Sequence, residues 1–312
     1  MTSNKIFDNY ISHIGVFPLC SLDNVLNGYR AATSFYGNLN LPCLLVFFGK
    51  SCFELYMKIK LLINDIRGFK LSPNKGVSFY IEDDNTKILM DCGSEWSENL
   101  TLNNITYIVL SHGHYDHSGG IKHVNINQDA LEKITLVAHP DALEKRYAIN
   151  PLKIRSDGRL SLEKLKTKFD IKLTTEAIWL TKKMVFLGDV GGCKLPTGII
   201  KTDNKIRLDY INDDSSLVYC SEKGLVIITG CNHAGLKKHI NKAIRITGDK
   251  RVYAIVGGLH FNGLSVLKLP FVLRILKKTN TTNFYTCHCT GKIAEKILNS
   301  KKMSTGDILE FI

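Results

Sequence analysis

The sequence predicts an α/β protein whose sheets are covered by helices. Three observations predict it. Short apolar stretches rich in β-branched residues alternate with helical stretches through both halves of the chain. Glycine-containing turns recur between a strand and the helix that follows it. Histidine, aspartate and cysteine gather in those turns, so stacked sheets would collect them at one rim.

The 312 residues suffice for one large domain or two small ones, and 44% hydrophobic with 22% charged residues is an ordinary globular balance. Near the start, the run Leu41-Pro42-Cys43-Leu44-Leu45-Val46-Phe47-Phe48 is far short of a membrane span. The order of basic, apolar and small-residue segments that marks a secretory signal is not met. Nine cysteines without a regular framework fit a reducing compartment. A cytoplasmic location with no membrane partner is therefore expected. The net charge of +12 invites a nucleic-acid partner, but there is no Arg-rich arm and no ladder of aromatic and basic residues. An anionic small-molecule substrate accounts for the charge, and so does a solvated lysine-rich surface. A homo-oligomer is left open.

Residues 1–56 stand apart. They are aromatic-rich, carry no net charge and show neither a period of 2 nor one of 3.6, so the whole +12 belongs to residues 57–312. They are read as an N-terminal extension, with Met57 as a candidate functional start. From Met57 the elements follow in order. Residues 57–64 read as an edge-type strand; 76–82 and 87–91 read as a hairpin turning at Asp83-Asp84-Asn85-Thr86. Residues 105–110 are a short buried strand, 121–133 a helix, 135–139 a strand and 160–169 a helix. Strands resume at 170–174 and 183–189. Residues 191–214 lack a clear period and read as an excursion, a candidate lid. A second hairpin, 215–220 with 225–229, is followed by helix 236–246, strand 251–256, helix 266–278 and strand 283–286. Helix 292–298 and strand 307–312 close the chain.

The strand at 105–110 ends in Ser111-His112-Gly113-His114-Tyr115-Asp116-His117-Ser118-Gly119-Gly120. Three histidines and an aspartate within six residues are hard to explain by packing. His112 and His114, two apart, project to the same side of an extended segment. Asp116 and His117 follow in the turn and can face a second point. Imidazole with carboxylate and no thiolate suits zinc or another first-row divalent ion in an open site. Two adjacent ions could share the set, given further ligands from elsewhere. Asp91 ends the preceding strand, where it can hydrogen-bond a metal-binding imidazole or be a plain turn aspartate. His233, His260 and His288 each lie just past a short apolar strand in a glycine-containing turn. His123, His139 and His239 lack that context and are read as surface or core residues.

The pattern His-x-His-x-Asp-His followed by Gly-Gly resembles the metallo-β-lactamase superfamily, over about residues 57–312. That resemblance implies a four-layer αββα sandwich with the metal site at one edge of the two sheets. It implies two divalent ions, zinc first, with manganese or iron as alternatives. It makes His112, His114 and His233 ligands of the first ion, and Asp116, His117 and His288 ligands of the second. Asp91 would orient a ligand, Asp116 would also serve catalysis, and His260, with no usual counterpart, would touch substrate or substitute as a ligand.

Gly230-Cys231-Asn232-His233-Ala234-Gly235, Gly257-Gly258-Leu259-His260 and Cys287-His288-Cys289-Thr290-Gly291 are similar to one branch of metal-dependent hydrolases. The expected activity is hydrolysis of an anionic, phosphorylated small molecule by activated water. The alternative in the same branch is a dihydropteroate-type synthase joining a dihydropterin methyl diphosphate to a ribofuranosylaminobenzene phosphate. A nuclease and a non-catalytic metal-binding module are further alternatives. Cys231 stands where a bridging carboxylate is common, and is either a thiolate bridge or a small buried residue. Cys287 and Cys289 flank His288 and would point away from it in an extended segment. Lys194 and Lys201 are candidate contacts for an anionic substrate.

Overall fold

Alternating burial sets the strands. In β1 (Met57–Asn64), Met57, Ile59 and Leu61 are fully buried while Lys58 and Lys60 are not. The hairpin of β2 (Val77–Asp83) and β3 (Thr86–Met90) follows, then β4 (Thr101–Asn103) and β5 (Tyr107–Val109). The short helix α1 (Tyr115–Ser118) precedes β6 (Asn125–Asn127), β7 (Ile134–Ala138), β8 (Lys145–Asn150) and β9 (Lys153–Ser156). Helix α2 (Leu162–Lys166) leads through β10 (Phe169–Leu173) and β11 (Ile178–Trp179) to β12 (Met184–Phe186). Then come β13 (Gly198–Lys201), β14 (Ile206–Asp209), β15 (Ser216–Ser221) and β16 (Gly224–Thr229). The last part alternates regularly: α3 (Leu236–Thr247), β17 (Val252–Gly257), α4 (Leu269–Lys278), β18 (Asn283–Thr286), α5 (Lys292–Ile297), β19 (Lys301–Lys302) and β20 (Ile308–Phe311). This computed structural model describes residues 56–64, 76–96, 100–127, 133–150, 153–156, 161–202 and 205–312. Residues 1–55 of the expected N-terminal extension lie outside them.

Two seven-stranded mixed sheets carry the fold, in the orders β10-β7-β5-β3-β2-β1-β20 and β11-β12-β15-β16-β17-β18-β19. Their facing sides share one core. Ile59, Phe79, Ile81, Met90 and Val109 of the first sheet join Phe186, Leu217, Tyr219, Val226, Ile228 and Val256 of the second. Residues one step along point the other way, as the pleat requires. Leu225, Ile227 and Ile255 meet Leu236, Ile240 and Ala243 of α3 and Leu269, Val272 and Leu276 of α4. On the outer face of the first sheet, Leu89, Ile108, Leu110 and Leu136 bury Trp96, Ile105, Ile121 and Leu165. The result is the four-layer sandwich, with an outer layer on the first sheet made of turns and short helices. Burying each large aliphatic or aromatic side chain contributes about 1.5–3 kcal/mol, so the inter-sheet layer and the two outer layers all contribute substantially to stability.

Three expectations are corrected. Residues 57–64 are not an edge strand, because β20 pairs antiparallel along the side of β1 away from β2. The helix expected over 121–133 is not found over 121–127, the part of it that is described. A 3-10 turn over Gly119–Lys122 ends where the His123 N–H meets the Gly120 carbonyl, and Asn125–Asn127 then pairs parallel with Thr101–Asn103. Pairing with Thr101–Asn103, distant in sequence, holds these three residues extended; residues 128–132 lie outside the description. The 191–214 stretch holds strands, with β13 between β14 and β8 in a four-stranded antiparallel sheet.

Topology positions the site. β3 and β5 run parallel, and β16, β17 and β18 run parallel to one another. Asp91, Ser111 to His117, Cys231 to His233, His260 and His288 all follow the carboxyl ends of these strands. Open α/β sheets bind ligands there.

Candidate metal centre

Asp91 is fully buried with φ of +60°, a left-handed conformation that aims its carboxylate into the rim. Its Oδ1 accepts the Ser111 N–H at 2.7 Å, and its Oδ2 accepts the Ser111 hydroxyl at 2.7 Å. His117 Nδ1 lies 2.7 Å from the same Oδ2. That contact puts the proton on Nδ1 and leaves the Nε2 lone pair facing Cys231 Sγ at 3.1 Å. Since the Ser111 hydroxyl donates to Asp91, it accepts from His112 Nδ1, 3.0 Å away. The His112 Nε2 lone pair then faces His114 Nδ1 at 3.0 Å.

Two groups of converging donors result. His112, His114 and His233 each offer a ring nitrogen, and these atoms lie within 4.8 Å of one another; so do the donor atoms of Asp116, His117 and His288. Cys231 stands between them, within the same distance of donors on His112 and His117. His288 Nε2 is 3.4 Å and His117 Nε2 is 4.0 Å from the Asp116 carboxylate. His233 Nε2 is buried without a hydrogen-bond partner. Ring nitrogens crowded to 3.0 Å from one another, with the His233 Nε2 buried and unpartnered, are an arrangement that a cation resolves. The residues therefore fit the divalent ions that the resemblance implies.

The electrostatics agree. Burial, then the neighbouring charges of His117 and His114, holds His112 well below the usual imidazole range. Burial and the Arg146 charge bring His114 down to about 4. Burial also lowers His233. All three are thus neutral near pH 7, the form that binds metal. Burial opposes charge on His117, but Asp91 and Asp116 overcome it and raise its pKa. Burial likewise favours a neutral Asp116, and the charges of His117 and His288 override it and hold the carboxyl well below its usual range.

Two adjacent carboxylates that the sequence reading passed over brace the loops. Asp213 Oδ2 accepts the Gly113 N–H at 2.7 Å, in the middle of His112-Gly113-His114. Arg146, fully buried, donates to Asp213 at 2.7 Å and to Asp209 at 3.2 Å. Asp214 Oδ2 accepts the Ala234 N–H at 2.6 Å, next to His233. His239, read as a surface or core residue, is in the core, joining Asp214 at 3.1 Å to Ser216 at 2.7 Å. His139 is buried and accepts the Asp141 N–H, while His123 is exposed. Consecutive aspartates without a motif give no signal in the sequence, in a stretch that lacks a clear period. Lys194 and Lys201 are exposed, Lys201 opposite Lys145 in the β8–β13 register.

The expectation for Cys287 and Cys289 is also corrected. His288 has φ of +50°, so the segment is a turn rather than extended. Cys287 joins the inter-sheet core, whereas the Cys289 sulfur approaches Cys231 and His260.

Residues 71–150, which contain Asp91 and the whole histidine run, match the model of the metallo-β-lactamase superfamily. Across 291 residues the chain is 30% identical to the 7,8-dihydropterin-6-methyl-4-(β-D-ribofuranosyl)-aminobenzene-5'-phosphate synthase of Methanocaldococcus jannaschii, covering 82% of this chain and 97% of that one. The chain belongs to the metallo-β-lactamase superfamily. An uncharacterized protein of the same organism is 32% identical over 245 residues, covering 75% of this chain and 90% of its own. Among solved structures, a metal-dependent hydrolase of the β-lactamase superfamily superposes with a TM-score of 0.65 at 24% identity, covering 81% of this chain and 98% of that one. The chain thus carries the fold and the histidine–aspartate donor groups of a metal-dependent enzyme of that superfamily. No helix among the described residues is long and apolar enough to cross a membrane.

Proposed function

We propose that the protein is a dinuclear metal-dependent hydrolase acting on an anionic, phosphorylated small molecule. The observation that carries this reading is the pair of donor groups, His112/His114/His233 and Asp116/His117/His288, at one rim. Zinc suits imidazole and carboxylate, with manganese or iron as alternatives. Divalent ions held there would supply Lewis acidity and lower the pKa of water toward neutrality. The chain's own residues do the rest. Asp91 fixes the tautomer of His117 and, through Ser111, that of His112. Asp116 stays ionised and holds His288 in register. His260 lies beside His233, with ring centroids 4.3 Å apart, where it can contact a bound substrate. The net charge of +12 favours anions in general.

A second reading rests on the 30% identical relative, named as a synthase. In that case divalent ions held by the same donors would bind the diphosphate leaving group and assist carbon–nitrogen bond formation. One experiment tests both: chelated and zinc- or manganese-reconstituted protein is offered phosphodiesters, and a dihydropterin methyl diphosphate with and without an arylamine phosphate. Turnover that needs metal, falls at least a hundredfold in His112→Ala and Asp116→Ala and consumes water supports the hydrolase. Turnover only when the arylamine is present replaces it with the synthase. Turnover untouched by chelation and by both substitutions contradicts either.

A further inference from the structure

Cys231, His260 and Cys289 bring two thiols and an imidazole together, with donor atoms within 4.8 Å of one another. The hydrolytic reading makes no use of Cys289. Three parallel strands deliver the trio, since Cys231 follows β16, His260 follows β17 and Cys289 follows β18. The three turns are fastened to each other by bonds that leave the donor side chains free. The Gly258 N–H donates to the Gly230 carbonyl at 3.1 Å, and the Gly291 N–H to the Phe261 carbonyl at 3.1 Å. The Leu259 N–H donates to Thr290 Oγ1 at 3.0 Å. Gly258 is required by this closeness, because a Cβ there would lie 2.3 Å from the Gly230 carbonyl oxygen and 2.8 Å from the Cys289 sulfur.

One donor atom of the trio, on His260, has no partner. His260 has φ of +51°, a left-handed backbone that persists only where surrounding structure enforces it. Its Nδ1 is buried without a hydrogen-bond partner. Cys231 and Cys289 are buried free cysteines. The Cys289 sulfur receives the His260 N–H at 3.3 Å, and its S–H donates to the Cys231 carbonyl at 3.7 Å, a proton that metal binding would release. A preformed set of two sulfurs and an imidazole is a zinc donor set with one position open.

We propose that Cys231, His260 and Cys289 form a third metal position for a zinc-class ion, beside the histidine–aspartate centre and sharing Cys231 with it. A thiolate sulfur has lone pairs enough to bridge, and Cys231 is already 3.1 Å from His117 Nε2. An ion here fixes His260 against His233 and so sets one wall of the adjoining site. The position requires no hydrolytic chemistry and stands whether or not the two-ion reading holds.

The test uses the full chain, kept reduced and purified without chelator, loaded with zinc for metal counting and with cobalt(II) for absorption. Cys289→Ser and His260→Gln are compared with the parent and with His112→Ala. The expected result is one zinc fewer per chain in both Cys289→Ser and His260→Gln. Thiolate-to-cobalt charge-transfer absorption should weaken in Cys289→Ser and persist in His112→Ala. Equal zinc content and equal absorption in parent, Cys289→Ser and His260→Gln would overturn the third position, and with two zincs retained would leave the histidine–aspartate centre standing. A Cys231–Cys289 disulfide that forms in a parallel zinc-loaded sample held without reductant, seen by thiol titration, would overturn it as well.

Discussion

Asp91 carries three hydrogen bonds on one buried carboxylate, two from Ser111 and one with His117. In Asp91→Asn an amide nitrogen replaces one of the acceptor oxygens, so Ser111 and His117 cannot both keep their bonds. Metal affinity should fall about 10–100-fold, the usual cost of losing the group that orients a ligand; chelator competition measures it. The histidines also make the metal-free fold sensitive to acid. His114 titrates at about 4 when folded against 6.5 for the free side chain, and His112 and His233 are lowered as well. Between those values the unfolded chain binds protons that the folded chain does not, so their contribution is complete above about pH 6.5 and is lost as pH falls toward 4. His117, raised by Asp91 and Asp116 against the effect of burial, acts oppositely: its contribution is present below about pH 6.5 and is lost as pH rises through its folded value. Three lowered groups against one raised should bring the urea midpoint of chelated protein down from pH 7 to pH 5. A midpoint that rises over that interval would contradict the assignment.

At the scale of elements, the turns after parallel strands are held by partners far away in sequence. Gly230 shows why: a Cβ there would lie 2.1 Å from the Ser111 hydroxyl and 2.8 Å from Asp91 Oδ2, so the turn after β16 meets the turns after β3 and β5 with no room for a side chain. Arg146 on β8 does similar work for the His112–His114 turn through Asp213. Arg146→Met strands two buried carboxylates, Asp209 and Asp213, and should cost about 3–5 kcal/mol, read from urea unfolding. A loss under 1 kcal/mol would mean that these carboxylates find other partners. Local patterning made the elements legible: the strand at Asn283–Thr286 is where alternation and flanking turns put it. Patterning failed where pairing decides. The Asn125–Asn127 strand depends on Thr101–Asn103, and β13 on β8, neither of which a window along the chain contains. The same limit hid Asp213, Asp214 and Cys289, whose roles come from neighbours tens of residues distant. The histidine run was readable because its donors are consecutive.

Across the whole molecule, two sheets with one shared core bring the ends of β3, β5, β16, β17 and β18 to a single rim. Nothing in composition fixes that convergence; it follows from parallel pairing within each sheet and from the face-to-face stacking of the two. An ion binding only the folded chain stabilises it by about 2.7 kcal/mol when present at a hundred times its dissociation constant, so the rim and the fold support each other. The decisive measurement is metal content per chain by plasma mass spectrometry, on protein purified without chelator, beside His112→Ala and Asp116→Ala. The donor groups call for at least two equivalents in the parent and at least one fewer in each variant. Near-zero metal in the parent, persisting after reconstitution with zinc, manganese or iron, would contradict the metal centre and with it the enzymatic reading.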